Sequence, residues 1–148
     1  MLATCRSAAI LVATLGIPFD TLVRHRQARD MAEAVMLDAL GSAWIEAVCD
    51  EQERAIAAAH PGLYLTDRFS PGYGDLPLSL QGALLGATEA GKRLGITLLP
   101  SDLMIPSKSV TAVIGLSDRP QQARIRGCAY CALAQDCMIR KRGGACGA

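Results

Sequence analysis

Ala8 to Leu15 form an apolar run whose length suits one buried strand, and Ile17-Pro18-Phe19-Asp20 reads as the turn out of it. From about Met31 to Ala59 the rhythm becomes helical. Met36, Leu40, Trp44 and Val48 fall on one stripe, Val35, Ala39, Ala43 and Ala47 lie beside it, and His60-Pro61-Gly62 supplies a stop. This spacing predicts one long helix whose apolar stripe, Trp44 included, faces a core. Gly41 in its middle costs up to about 1 kcal/mol relative to Ala unless a neighbour needs the space.

Leu63 to Thr66 predicts a short strand and Pro77 to Leu94 a second helix, with Leu80, Leu84 and Leu85 turned inward and Gly95 closing it. Ile96 to Leu98 and Val110 to Leu116 read as strands, with Pro100 and Pro106 bounding the loop between them. The order of elements predicts an α+β fold, long helices on a small antiparallel or mixed sheet. The chain divides into a domain over residues 1–120 and a Cys-rich C-terminal tail over 121–148.

With 148 residues and 51% hydrophobic content the chain is long enough to bury a core as a single domain. Fifteen Lys and Arg against fourteen Asp and Glu give a net charge of +1, which favours neither nucleic acid nor an anionic membrane surface as partner. Arg124, Arg126, Arg140, Lys141 and Arg142 are the one charge asymmetry and read as a solvated tail. The run Ala8 to Leu15 is too short to span a bilayer and lacks a clean cleavage site after it, so the expected location is cytoplasmic.

The candidate chemistry begins at Arg68-Phe69-Ser70-Pro71-Gly72-Tyr73-Gly74-Asp75. Arg68 offers a planar fork suited to a carboxylate, Pro71 presets its own φ, and Gly72 and Gly74 allow close approach of backbone to a bound molecule. Tyr73 adds a ring face and a hydroxyl. Such a loop suits a zwitterionic ligand, although Pro and Gly also build plain turns.

A second run follows about thirty residues on, Met104-Ile105-Pro106-Ser107-Lys108-Ser109-Val110-Thr111, preceded by Gly95-Ile96-Thr97-Leu98. The order Arg-x-x-x-Gly-Tyr, Gly-Asp-x-Pro-Leu, a helix, Gly-Ile-Thr-Leu and Pro-Ser-Lys-Ser-Val resembles the activation domain of cobalamin-dependent methionine synthase, in particular its free-standing bacterial relatives. Ala13-Thr14-Leu15-Gly16 and Ser42 to Asp50 are similar to the same pattern, so the likeness runs from about Leu11 to about Leu116. It implies a domain that binds S-adenosylmethionine and presents it to an oxidised cobalamin on a partner, so that reductive methylation restores methylcobalamin. It also implies that Arg68, Gly72 and Tyr73 bind the ligand. The implied partner is a cobalamin-binding methionine synthase subunit or another corrinoid protein, with a flavodoxin, a ferredoxin or the chain's own tail as electron source. Family members usually carry several dozen more residues ahead of the segment matching Ala13 to Gly16, and a homo-oligomer is one way of covering that edge.

S-adenosylmethionine presents a carboxylate, an ammonium, a sulfonium and an adenine. Arg68 suits the first, Glu46 or Asp75 the ammonium, the Tyr73 ring the sulfonium, and the Ser107 to Ser109 backbone, Ser109 included, could edge the ligand. Asp75 equally suits an Asx-turn or a helix cap. No general base or protein nucleophile stands out; the implied reaction takes its nucleophile from the partner's cobalt. His25 and His60 have no partner at metal or triad spacing, and no glycine-rich dinucleotide fingerprint follows a strand.

Cys128, Cys131, Cys137 and Cys146 crowd the tail, and four thiolates suit zinc or an iron–sulfur cluster, with Cys128 and Cys131 as a short-loop chelate. Unligated thiols and disulfides are the other readings. Cys5 and Cys49 are isolated and expected to be packed. Two rival functions stay open at this point: a non-catalytic module that binds S-adenosylmethionine or a corrinoid protein, and a metal or iron–sulfur electron carrier working through the tail.

Overall fold

A computed structural model describes residues 2–73, 75–121, 135 and 137–141. Its fold is α+β, as the order of elements predicts. Strand β1 (Ser7–Thr14) leads through Gly16, at φ +79°, into helix α1 (Gly16–Gln27) and then helix α2 (Met31–Ala59). After β2 (Tyr64–Leu65) come a 3₁₀ turn (Leu78–Leu80), α3 (Gln81–Ala87) and α4 (Ala90–Leu94). A hairpin of β3 (Thr97–Leu98) and β4 (Met104–Ile105) precedes β5 (Ser109–Ser117), and a short α5 (Met138–Lys141) lies beyond it. Cys128, Cys131 and Cys146, and most of the basic run, fall outside the described residues; Cys137 is described and half-buried.

The main sheet is antiparallel, ordered β1-β5-β2, with Ser7 opposite Leu116 and Thr14 opposite Ser109. Side chains alternate across it. Leu11, Ala13 and Ile114 meet Ile45 and Cys49 of α2, while Val12 packs on the other side against Leu85, Ala90 and Ile96 from the α3–α4 region. Because β5 is covered on both faces, it is buried from Thr111 to Ser117 and carries little polar alternation.

The long helix has the predicted bounds. Asp30 caps it by accepting from the Glu33 N–H at 3.1 Å. Its facing differs from expectation. Trp44 is 56% exposed and Met36 66%, with Leu40 and Val35 also on the surface, while Ala34, Gly41, Ile45 and Cys49 point inward. Close packing decides this: a Cβ at position 41 would collide with the ring of Phe19 on α1, so the small-residue face is the one that lets the helices approach. Gly41 thus serves the neighbour that offsets its helical cost.

Two other expectations are corrected. Ile17 to Asp20 is not a turn but the first part of α1, where Pro18 sits in the opening turn and removes no helical hydrogen bond. The segment Pro77 to Leu94 is not one helix. The Thr88 hydroxyl bonds back to the Leu84 carbonyl at 2.9 Å, and Glu89 takes φ +52°, which breaks the run into α3 and α4. Leu85 is buried as expected, Leu80 is largely exposed, and Gly95 closes α4 at φ +69°. No helix among the described residues is long and apolar enough to cross a membrane.

Candidate functional site

Strand β5 is flanked unequally. Toward its end Tyr64 and Leu65 pair with Ser117 and Leu116, and Phe69 exchanges both backbone bonds with Val113, at 3.1 and 2.8 Å. Beyond Phe69 the chain turns away through Ser70 and Pro71. Among the described residues the first part of β5 therefore has no neighbour on that side, and a cavity of about 640 Å³ opens there. Its wall draws on five parts of the fold: Glu46 of α2, the loop from Arg68 to Tyr73, Leu78 and Gln81 at the start of α3, Asp102 to Met104 of the hairpin, and Ser107 to Thr111 leading into β5.

Arg68, Tyr73, Glu46 and Ser109 meet in that wall, although they are spread over sixty-odd positions of sequence. Gly72 and Asp75 are not among the lining residues. Gly72 takes φ +91° and donates its N–H to the Leu76 carbonyl at 2.8 Å, so its service is to the turn that presents Tyr73. Tyr73 itself is 70% exposed, at the rim.

Arg68 is held differently from the open fork that its sequence context suggests. Its side chain is only 5% exposed and donates to three carboxylates of α2: Nη1 to Glu53 at 2.7 Å and to Asp50 at 3.0 Å, Nη2 to Glu46 at 2.7 Å. Glu46, Asp50 and Glu53 recur at helical spacing, so one face of α2 aims all three at the loop. Burial works against the guanidinium charge, but the field of Glu53 and the Asp50 hydrogen bond outweigh it and raise Arg68 above its usual value. All three carboxylates converge on the one guanidinium. A carboxylate at the cavity suits a cation better than an anion. Glu46, whose side chain is 58% exposed, is the member that reaches the cavity.

The Pro-Ser-Lys-Ser segment is pinned as firmly. Asp20 accepts from both the backbone N–H and the hydroxyl of Ser107 at 2.8 Å, and Lys108 Nζ lies 2.9 Å from Asp38 and donates to the Ser42 hydroxyl at 2.9 Å. The Ser109 hydroxyl donates to the Pro106 carbonyl at 2.7 Å and lies 2.8 Å from Thr14 Oγ1. These clamps run from α1, α2 and β1, so the strand that walls the cavity is fixed before any ligand arrives.

Sequence reasoning missed Asp50, Glu53, Gln81 and the hairpin residues Asp102 to Met104. The carboxylates had a signal, since residues 46, 50 and 53 share a helical face. The hairpin had almost none, because its strands are two residues long. Compared with family models and with curated proteins, the chain matches none.

Proposed function

We propose that the chain is an activation module that binds S-adenosylmethionine and presents it to a corrinoid held by a partner protein, assisting reductive remethylation of the cobalt. One observation supports this above the others: Arg68, Tyr73, Glu46 and Ser109, singled out from the resemblance and from the ligand's chemistry, share the wall of one cavity. The acidic end suits the ligand's ammonium and sulfonium. Glu46 receives the ammonium, and Arg68 braces Glu46 while three of its five N–H groups are engaged. The exposed Tyr73 ring offers its face to the sulfonium, a contact of about 0.5–2 kcal/mol.

The low-valent cobalt that would accept the methyl group belongs to the partner, a cobalamin-binding methionine synthase subunit or a related corrinoid protein. This chain's own share is binding and orientation, which need no base or nucleophile of its own. A flavodoxin or a ferredoxin supplies the electron, and the module works in the cytoplasm.

Calorimetric titration of the full chain tests the reading. S-adenosylmethionine is expected to bind saturably, S-adenosylhomocysteine about tenfold more weakly because it lacks the sulfonium charge, and Glu46→Gln to lose about tenfold for the methylated ligand. Absence of saturable binding by the unmodified protein overturns it.

A further inference from the structure

The cavity holds a second polar group that the cation seat leaves unused. Gln81, the first residue of α3, is 3% exposed, and its Oε1 accepts from the Thr111 hydroxyl at 2.9 Å; Thr111 is itself buried. An amide whose oxygen is satisfied still carries two N–H donors. Among the described residues Gln81 Nε2 has no partner, yet no side-chain nitrogen or oxygen that is sealed from solvent goes unpartnered. Nε2 therefore opens on the cavity that Gln81 lines.

The strand beside it adds a complementary pair. Val113 directs both its backbone groups at Phe69, and in a strand the groups of residues two apart point the same way. The N–H and C=O of Thr111 consequently face the open edge, past the point where the neighbouring chain has turned off, and have no partner among the described residues. Phe69, Leu78, Met104 and Val110 supply apolar wall around them. The groups gathered here are neutral and offer donors and an acceptor together.

We infer that Gln81 and the open edge of β5 at Thr111 are the seat of a purine base, with Gln81 Nε2 donating to a ring nitrogen and the Thr111 carbonyl accepting from the exocyclic amine. This rests on the S-adenosylmethionine reading and gives the ligand a direction: cationic amino-acid end at Glu46, base at Gln81. A carboxylate fits the seat less well, because it brings acceptors alone and would meet the Thr111 carbonyl with like polarity. The base brings both kinds of group.

The test is titration of the full chain with S-adenosylmethionine and, separately, with methylthioadenosine, which keeps the base and ribose but lacks the amino-acid end. Gln81→Glu, which preserves the acceptor for Thr111, and Gln81→Leu are compared with Glu46→Gln, each checked for folding by its melting temperature. Both Gln81 variants are expected to weaken the two ligands by the same factor, about tenfold. Glu46→Gln is expected to weaken S-adenosylmethionine alone. If the Gln81 variants weaken S-adenosylmethionine but not methylthioadenosine, Gln81 serves the amino-acid end and the base seat is wrong; if they leave both unchanged, its amide only braces Thr111. If the unmodified protein binds S-adenosylmethionine but not methylthioadenosine, the base seat likewise fails. Binding of methylthioadenosine without S-adenosylmethionine would keep the base seat and overturn the proposed function, and binding of neither would overturn both.

Discussion

The two halves of β5 are built into different surroundings. From Val113 to Leu116 the strand is flanked on both sides, by β1 and by the chain around β2 and Phe69, and Ile114 is fully buried in the core against α2. From Ser109 to Thr111 it is paired, among the described residues, with β1 alone and forms cavity wall. A cavity here needs no unusual residues. It arises where a pairing stops, because an unpaired strand edge carries backbone donors and acceptors already in fixed positions.

Substitutions in the two halves should separate stability from binding. Ile114→Ala, in the doubly paired half, should lower unfolding free energy by about 3 kcal/mol through cavity formation, read from a urea transition. Thr111→Val, in the open half, should cost only about 1 kcal/mol for the hydroxyl that anchors Gln81, while nucleoside affinity falls with the Gln81 variants. Equal losses of stability at both positions, with binding unchanged, would erase the distinction.

Arg68 stands at the join of the two halves, one residue before the Phe69 bridge. Arg68→Ala is expected to cost about 2 kcal/mol. That is below the roughly 3–5 kcal/mol of a fully buried broken pair, because Glu46 and Asp50 keep contact with water. Adding Asp50→Asn and Glu53→Gln to Arg68→Ala should restore part of the loss, since the penalty is then mutual repulsion removed; no recovery in the urea midpoint would mean that the arginine acts through packing alone.

The smallest effect is expected at Cys49, in the core beneath the acidic cluster. Burial pushes its thiol up, with Arg68 pulling in the opposite direction. The folded value lies above the unfolded one, so this contribution is intact below about pH 8.5 and declines as pH rises through the interval between them. Comparing melting temperatures at pH 8 and pH 10, Cys49→Ala should start lower but fall less steeply than the unmodified protein.

Much of the fold was legible in the chain. The bounds of α2, the strands at both ends of the main sheet and the closing role of Gly95 follow from local rules: helical spacing, an Asp30 cap, apolar runs and glycine's access to positive φ. The residues Arg68, Tyr73, Glu46 and Ser109 could be named from their chemistry and their resemblance to a known pattern. Where a helix turns its faces could not. Periodicity detects an apolar stripe but not its partner, and on α2 the stripe with Trp44 lies outside because Phe19 demands the smallest residue, Gly41, at the crossing.

The sequence by itself determined the bounds of α2, the apolar strands of the main sheet and which side chains can carry charge, because those properties depend on neighbours a few residues away. Tertiary structure alone decided that Arg68 spends three N–H groups on carboxylates of α2, that Gln81 meets Thr111, and that pairing on the β2 side of β5 stops at Phe69 among the described residues. Each of these depends on groups between fifteen and forty-four positions apart, and only packing of the layers brings such groups within hydrogen-bonding distance.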